Sequence, residues 1–365
     1  MNKDVAIVAI TKGGVALGTK LQNQMEGAEL LVSEKFGEIA GPAAILLKGP
    51  LSKNIGSFFN AYDKIIFIVS LGAVVRLIAP HLKDKHIDPA VLVVDDKAQF
   101  VISVLSGHVG GANALTEKVA NLLGSVPVIT TASDVGQTIA VDILGRELGW
   151  IVEGDENVTR VSAAVVNEEP VAFIQETGEK KWWTRPTPLP STIECFSSWE
   201  GVEAKQIEGK KYSAVLIVTD RLRSAFPLQI QDRLVLYRPK SLVLGMGCDR
   251  GASLEEIEGL IRETLEKNGL QFSSVRTLAT LDQKQDEPAF IQLCEKQGWT
   301  LEIFAKEALQ GVEGVKNPSP VVEKWVGTPS VSEASALKSS GARELLVPKV
   351  KSKQATLAIA RVTFI

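Results

Sequence analysis

The stretch that most narrows the folds open to this chain runs from an apolar segment through a glycine-rich corner into a helix. Phe100-Val101-Ile102-Ser103-Val104 has the β-branched, apolar character of a strand, and residues 114–123 carry helical spacing. Between them lies Leu105-Ser106-Gly107-His108-Val109-Gly110-Gly111-Ala112-Asn113. A strand-to-helix corner of this kind presents backbone N–H groups and the positive end of a helix dipole to a ligand. Glycines let the backbone adopt positive φ and come close to that ligand. The chain has only three histidines, so one placed here is a candidate for proton transfer. The same residues also suit a plain tight turn with His108 packed against it, and the pattern alone leaves both readings open.

The alternation of strand and helix extends on either side of this corner. Strands are expected over 5–10, 28–32, 65–70, 90–95, 98–104 and 126–130, with helices between most of them. The run at 65–70 is nearly continuous Ile, Phe and Val, as in a strand covered on both faces. Such alternation gives a parallel sheet with helices on both sides. From about residue 138 the character changes. A helix is expected over 139–148 with Asp142 near its start, then a strand near Ile151, a helix over 157–166 and strands over 171–175 and 214–219. Residues 178–190, with Trp182, Trp183 and three prolines, read as a loop.

Pro239 marks a linker into a third unit, which opens with a strand from Ser241 and a second glycine corner over 245–251. Ser253 with Glu256, and later Ser330 with Glu333, match capping boxes at helix starts. Strands over 275–279 and 300–304, helices opened by Pro288 and Pro320, and a closing hairpin over 344–364 complete it. At 365 residues the chain exceeds one ordinary core. The expected fold class is therefore α/β in three modules. The N- and C-terminal modules are three-layer α/β/α units with mainly parallel sheets, flanking a smaller middle α/β domain. The boundaries fall at 1–137, 138–238 and 239–365.

Several functions are disfavoured. The formal net charge of −3 offers no basic surface for nucleic acid. No apolar run reaches membrane-spanning length, and residues 1–4 pass into a strand with no signal-peptide pattern. Cys195, Cys248 and Cys294 have no paired spacing, which suits a reducing cytoplasm and supplies neither a zinc nor a disulfide framework. The glycine corners lack a P-loop ending, and position 250 is Arg where a dinucleotide motif needs Gly, with Gly251 a rough substitute. No nucleophile elbow is present. Cys248, at a helix start, is either a thiol of depressed pKa or a small packing residue. His81, His86 and Asp88 fit no usual ligand spacing, so no metal site is expected. Arg76 follows a strand within an apolar stretch, where it either binds a ligand carboxylate or pairs with Asp88 or Asp134.

Residues 71–91 (Leu-Gly-Ala-Val-Val-Arg-Leu-Ile-Ala-Pro-His-Leu-Lys-Asp-Lys-His-Ile-Asp-Pro-Ala-Val), followed by the corner at 105–113, strongly resemble the cobalt-precorrin-5A hydrolases of anaerobic cobalamin biosynthesis. Gly245-Met246-Gly247-Cys248-Asp249-Arg250-Gly251, Leu281-Asp282-Gln283-Lys284 and Gly327-Thr328-Pro329-Ser330-Val331-Ser332-Glu333-Ala334 look like that family's C-terminal domain. The resemblance implies a hydrolase that opens the ring A acetate δ-lactone of a cobalt-bound, contracted tetrapyrrole and releases acetaldehyde to give cobalt-precorrin-5B. It implies no cofactor of the protein's own, because the cobalt is carried by the substrate. The partners so implied are the tetrapyrrole and neighbouring pathway enzymes, with no nucleic acid and no membrane.

A disc fringed with carboxylates needs separated anion sites, which helix N-termini and cations supply. Under that implication the substrate-binding candidates are Gly72, Arg76, Ser106, Gly107, Gly110, Gly111, Asn113, Thr131, Gly247, Arg250, Gly251, Lys284, Ser332 and Glu333. The catalytic candidates are His108, kept neutral by the helix end so that it can deprotonate water, and Asp134. A corrinoid escort protein without chemistry of its own is the alternative from another class.

Overall fold

The computed structural model describes residues 3–84, 87–207, 209, 211–318 and 330–364. It divides into two compact units, Met1–Ile143 and Leu144–Ile365, and its described strands form three sheets. The first sheet contains β1 (Lys3–Ala9), β2 (Glu29–Ser33), β3 (Ile45–Leu47), β4 (Tyr62–Ile68), β5 (Ala90–Val94), β6 (Phe100–Leu105) and β7 (Val126–Val128). Their order is β3-β2-β1-β4-β5-β6-β7, parallel throughout except where β6 turns back antiparallel on β5.

Alternate residues of the central strands face opposite layers. Ile7, Ile66 and Leu92 pack toward the helices Lys12–Gln24 and Ala112–Leu123, while Val8, Ile65 and Phe67 pack toward Leu51–Phe59 and Leu71–Ile78. Each such side chain, fully buried, contributes about 1.5–3 kcal/mol, so the three layers hold together through the faces of one sheet. Because β6 is reversed, Leu105 lies beside Val91 at the start of β5. The glycine corner therefore leaves the sheet at the end opposite to the one where β1, β4 and β5 finish.

The second unit holds two sheets. One contains β8 (Ile151–Glu153), β9 (Val171–Gln175), β10 (Ile193–Phe196), β11 (Ala214–Val218) and β12 (Leu234–Arg238), ordered β10-β9-β11-β12-β8 with only β8 antiparallel. The other contains β13 (Leu242–Cys248), β14 (Val275–Leu281), β15 (Thr300–Phe304), β16 (Val347–Lys351) and β17 (Ala355–Arg361). Here β15, β14 and β13 are parallel, and the closing hairpin adds β17 and β16 antiparallel beside β13. Helix Val331–Ser340 lies so close to β13 that a Cβ on Gly245 would stand 1.9 Å from the Ser332 carbonyl oxygen.

A polar joint ties these two sheets. The Asp220 carboxylate, 1% exposed, accepts from Arg361 Nε and Nη2 at 2.8 and 2.7 Å and from Ser241 Oγ at 2.8 Å. Its carbonyl oxygen accepts from Gln271 N at 2.7 Å.

Several expectations need correction. Residues 139–148 form no α-helix: 141–145 are turns and only Arg146–Leu148 coil, as a 3₁₀ turn. Gly145 and Gly149 take positive φ there, and the Trp150 ring packs where a Gly145 Cβ would be. Strands β3, β10 and β12 and the helix Trp199–Ile207 were not anticipated; polar residues interrupt the apolar runs of β10 and the helix, and β3 is only three residues long. Ser253 caps its helix, but the Glu256 carboxylate reaches Ser352 Oγ and Gln354 N in the hairpin turn, at 2.9 and 2.7 Å. The helix expected at Pro320, the Gly327-Thr328-Pro329 part of the third corner and His86 lie outside the described residues. Among those described, no helix is long and apolar enough to cross a membrane.

Candidate active site

Residues 106–111 fold back on themselves between β6 and the helix Ala112–Leu123. Ser106 sits at φ 55°, and its carbonyl accepts from Ala112 N at 3.1 Å, while the Gly107 carbonyl accepts from Asn113 N at 3.0 Å. The Ser106 hydroxyl donates to the Asp88 carbonyl at 3.0 Å. A Cβ on Gly110 would lie 2.4 Å from Ser106 Cβ, and one on Gly107 would lie 2.8 Å from Asn113 Oδ1. The close approach that demands these glycines is thus to the protein's own side chains. Gly111, at φ 83°, caps the helix. The expected anion hole is correspondingly reduced, since the Ala112 and Asn113 amides are already engaged.

This folding places His108 between two acids. Its Nδ1 is 3.0 Å from Asp142 Oδ1, and its Nε2 is 3.1 Å from Asp134 Oδ2. Ser133 Oγ stands 3.2 Å from the same Nε2. Asn113, only 8% exposed, organises the group from beneath. It accepts from Ser103 Oγ at 2.7 Å and donates to Thr131 Oγ1 and Asp134 Oδ2, at 2.9 and 2.7 Å. Side-chain exposures of 12% for His108, 25% for Asp134 and 20% for Asp142 leave the cluster half-sheltered yet open to a reactant.

The electrostatics run against the expected direction. The hydrogen bond to Asp142 raises the His108 pKa above 6.5. Burial opposes it, and the charges of Asp142 and Asp134 add to the rise. The two carboxylates together outweigh the burial. An imidazole so placed carries a proton readily and can pass it at Nε2, while Asp142 holds Nδ1–H and fixes the tautomer.

Sequence reasoning joined His108, Asp134, Asn113 and Thr131, but it missed Asp142, Ser133 and Ser103. Asp142 had one local sign: it is the only charge in Ile139-Ala140-Val141-Asp142-Ile143-Leu144, where a half-buried acid needs a partner.

Within the first unit, Gly72 and Arg76 do not join this cluster. Gly72 follows β4, at the opposite end of the strands, and its carbonyl accepts from Arg76 Nη1 at 2.8 Å. Arg76 is exposed and so bears no burial cost. It pairs with neither proposed acid, because Asp88 accepts from Lys83 N and Asp134 faces His108.

In the second unit, Gly247, Lys284 and Ser332 line one cavity. Arg250 is already paired with Asp286 at 2.7 Å, and Gly251 N donates to Glu287 Oε1 at 3.1 Å. Glu333 is completely buried and is withdrawn as a ligand contact. Its two oxygens accept from the backbone N–H groups of Lys316, Asn317 and Lys349 and from Asn317 Nδ2, each at 2.8 Å. Burial alone would raise its pKa, yet those donors hold it below the usual value.

Cys248 is no activated thiol, since burial pushes it up to about 11. Iodoacetamide at neutral pH is therefore expected to modify it at least tenfold more slowly than an unperturbed cysteine peptide, as followed by mass spectrometry. Rapid labelling would contradict this.

Three family models match the chain. Those described as Cobalamin synthesis G N-terminal, Cobalamin biosynthesis central region and Cobalamin synthesis G C-terminus cover residues 53–134, 139–239 and 242–360. The cobalt-precorrin-5A hydrolase of Priestia megaterium is 43% identical over 363 residues, 99% of this chain and 96% of that protein. Its counterpart in Salmonella typhimurium is 32% identical over 358 residues, 98% of this chain and 97% of that protein. Protein CobE of a Sinorhizobium species is 31% identical over 121 residues, 33% of this chain and 79% of that protein.

Proposed function

The chain belongs to the cobalamin synthesis G family, and from that membership we propose that the His108 cluster opens the ring A acetate δ-lactone of cobalt-precorrin-5A and releases acetaldehyde. The protein is an enzyme of cobalamin biosynthesis, a hydrolase acting on cobalt-precorrin-5A. The observation that supports placing the chemistry at His108 is its ring, held at both nitrogens by carboxylates.

In the first step water adds to the lactone carbonyl carbon. His108 Nε2 takes the proton of that water, Asp142 stabilises the imidazolium, and the ring C–O bond breaks. The proton then passes from Nε2 to the departing alkoxide. In the second step the new hydroxyl loses its proton to the same imidazole or to Asp134. Its C–O bond becomes the carbonyl of acetaldehyde, and the electron pair of the breaking C–C bond passes to the macrocycle, which is protonated. The cobalt enters and leaves with the substrate. The free thiols of Cys195, Cys248 and Cys294 support a reducing cytoplasm as the setting.

Purified protein incubated with cobalt-precorrin-5A is expected to yield acetaldehyde and a product lighter by the two-carbon fragment. A protein that bound the corrinoid and returned it unchanged would remove the proposal in favour of an escort role.

The pH profile carries a sign. A base must be unprotonated, so the rate is expected to climb as pH rises through a His108 pKa above 6.5. Asp142→Asn removes the largest raising influence and is expected to move the inflection to lower pH. Unchanged inflections in the two profiles would count against the assignment.

A further inference from the structure

The third sheet carries a cavity of about 450 Å³ at the carboxyl ends of β13 and β14, closed on one side by the hairpin turn and on another by the first turn of helix Val331–Ser340. Four ammonium-bearing residues line it: Lys284, Lys349, Lys351 and Lys353. Asp249 is the one carboxylate among the lining residues. Lys284 Nζ is 3.9 Å from Glu287 Oε2, beyond hydrogen-bonding range. Lys351 and Lys353 are exposed and form no ion pair among the described residues. Lys349 donates to the Asn317 carbonyl with one of its three hydrogens.

A second and independent observation comes from a residue that lines the cavity. Ser332, at the second position of the helix, is 1% exposed, and its hydroxyl has no hydrogen-bond partner among the described residues. A buried hydroxyl without a partner costs about 1–3 kcal/mol, which a ligand oxygen would relieve. By contrast the Ser335 hydroxyl, one turn on, has acceptors in the Ala279 and Ser332 carbonyls, at 3.1 and 3.3 Å.

We propose that this cavity is a carboxylate site that seats an acetate or propionate arm of a tetrapyrrole rim. Ser332 Oγ and Lys284 Nζ meet the arm inside, while Lys351 and Lys353 meet neighbouring carboxylates at the mouth. The choice of a tetrapyrrole rests on the function proposed above, whereas the carboxylate chemistry rests on the cavity itself. Its volume sits at the small end of the ~300–1,000 Å³ common for ligand cavities, which suits a side arm better than an entire macrocycle.

Uroporphyrin III, a soluble octacarboxylate tetrapyrrole, serves as the probe with the full chain, alongside its octamethyl ester and inorganic phosphate. Wild-type protein is expected to bind uroporphyrin and to ignore the ester. Lys351→Gln/Lys353→Gln is expected to weaken binding about tenfold and to flatten its salt dependence. Ser332→Ala, which is small enough to leave the fold intact, is expected to weaken it severalfold while the melting temperature of the free protein stays at or above that of wild type.

Wild-type affinity in both variants, equal binding of the ester, or displacement of uroporphyrin by micromolar phosphate would each overturn the proposal. The test is separable from that of the reaction. If wild-type protein released no acetaldehyde, the proposed function would fall while the probe still decided the cavity. If His108→Asn bound uroporphyrin normally and the lysine variants did not, the cavity would stand independently of the catalytic cluster.

Discussion

Replacing His108 with asparagine is expected to lower acetaldehyde release by about 10²–10⁴-fold, with little change in KM. Asparagine keeps a polar group between Asp134 and Asp142 but cannot shuttle a proton, so the loss falls on kcat. The two acids would then face each other without the intervening imidazole. Melting curves should therefore accompany the kinetics, and a second variant, His108→Gln, separates chemistry from folding. Asp142→Asn is expected to act more mildly, since it leaves the imidazole in place and changes only its tautomer preference and pKa. A His108→Asn protein with a rate within threefold of wild type would remove the histidine from the mechanism.

The largest expected effect on stability lies at the joint between the two sheets of the second unit. Asp220→Ala deprives Arg361 of both its charge-assisted bonds and Ser241 of its acceptor. Breaking a buried pair by removing one partner costs about 3–5 kcal/mol. A third of the Arg361 side chain meets water, so the lower end applies, about 3 kcal/mol. For a unit of this size the midpoint should fall by about 6–12 °C. Arg361→Ala is expected to cost more, because it strands a carboxylate that is only 1% exposed. Thermal and urea unfolding of both variants and of the double variant Asp220→Leu/Arg361→Leu would measure the coupling. A loss below about 1 kcal/mol in either single variant would contradict the reading of the joint.

How far the sequence revealed the fold depended on where each residue's partner lay. The strands of the first sheet could be read because Ile65–Ile68 and Ala90–Val94 are apolar on both faces. The burial of Arg238 at the end of β12 could not, because its partners, Glu153 and the Thr219 and Arg221 carbonyls, lie far off in the sequence. The capping relation of Ser330 to Glu333 was visible as a local pattern, and the Ser330 hydroxyl does accept the Glu333 N–H. The Glu333 carboxylate answers to residues 16 and 17 positions away, which no helical signature encodes.

At the candidate site, His108 stood out through its rarity and its corner. Its partner Asp142 lies 34 residues on, within apolar spacing that imitates a helix. Glycine-richness signalled a close approach at Gly107 and Gly110, but composition cannot tell a ligand from the protein's own Ser106 and Asn113.

The joint at Asp220 also sets a schedule for biosynthesis. Asp220 is polymerised 141 residues before Arg361, and β17, which carries that arginine, fills the space between β13 and β16. At roughly 5–20 residues per second, the acid is polymerised about 7–30 s before its guanidinium exists. Once β12 is made, the nascent middle sheet has its own strands but still lacks the arginine that locks it to its neighbour. A pause in translation between the two codons would lengthen that interval.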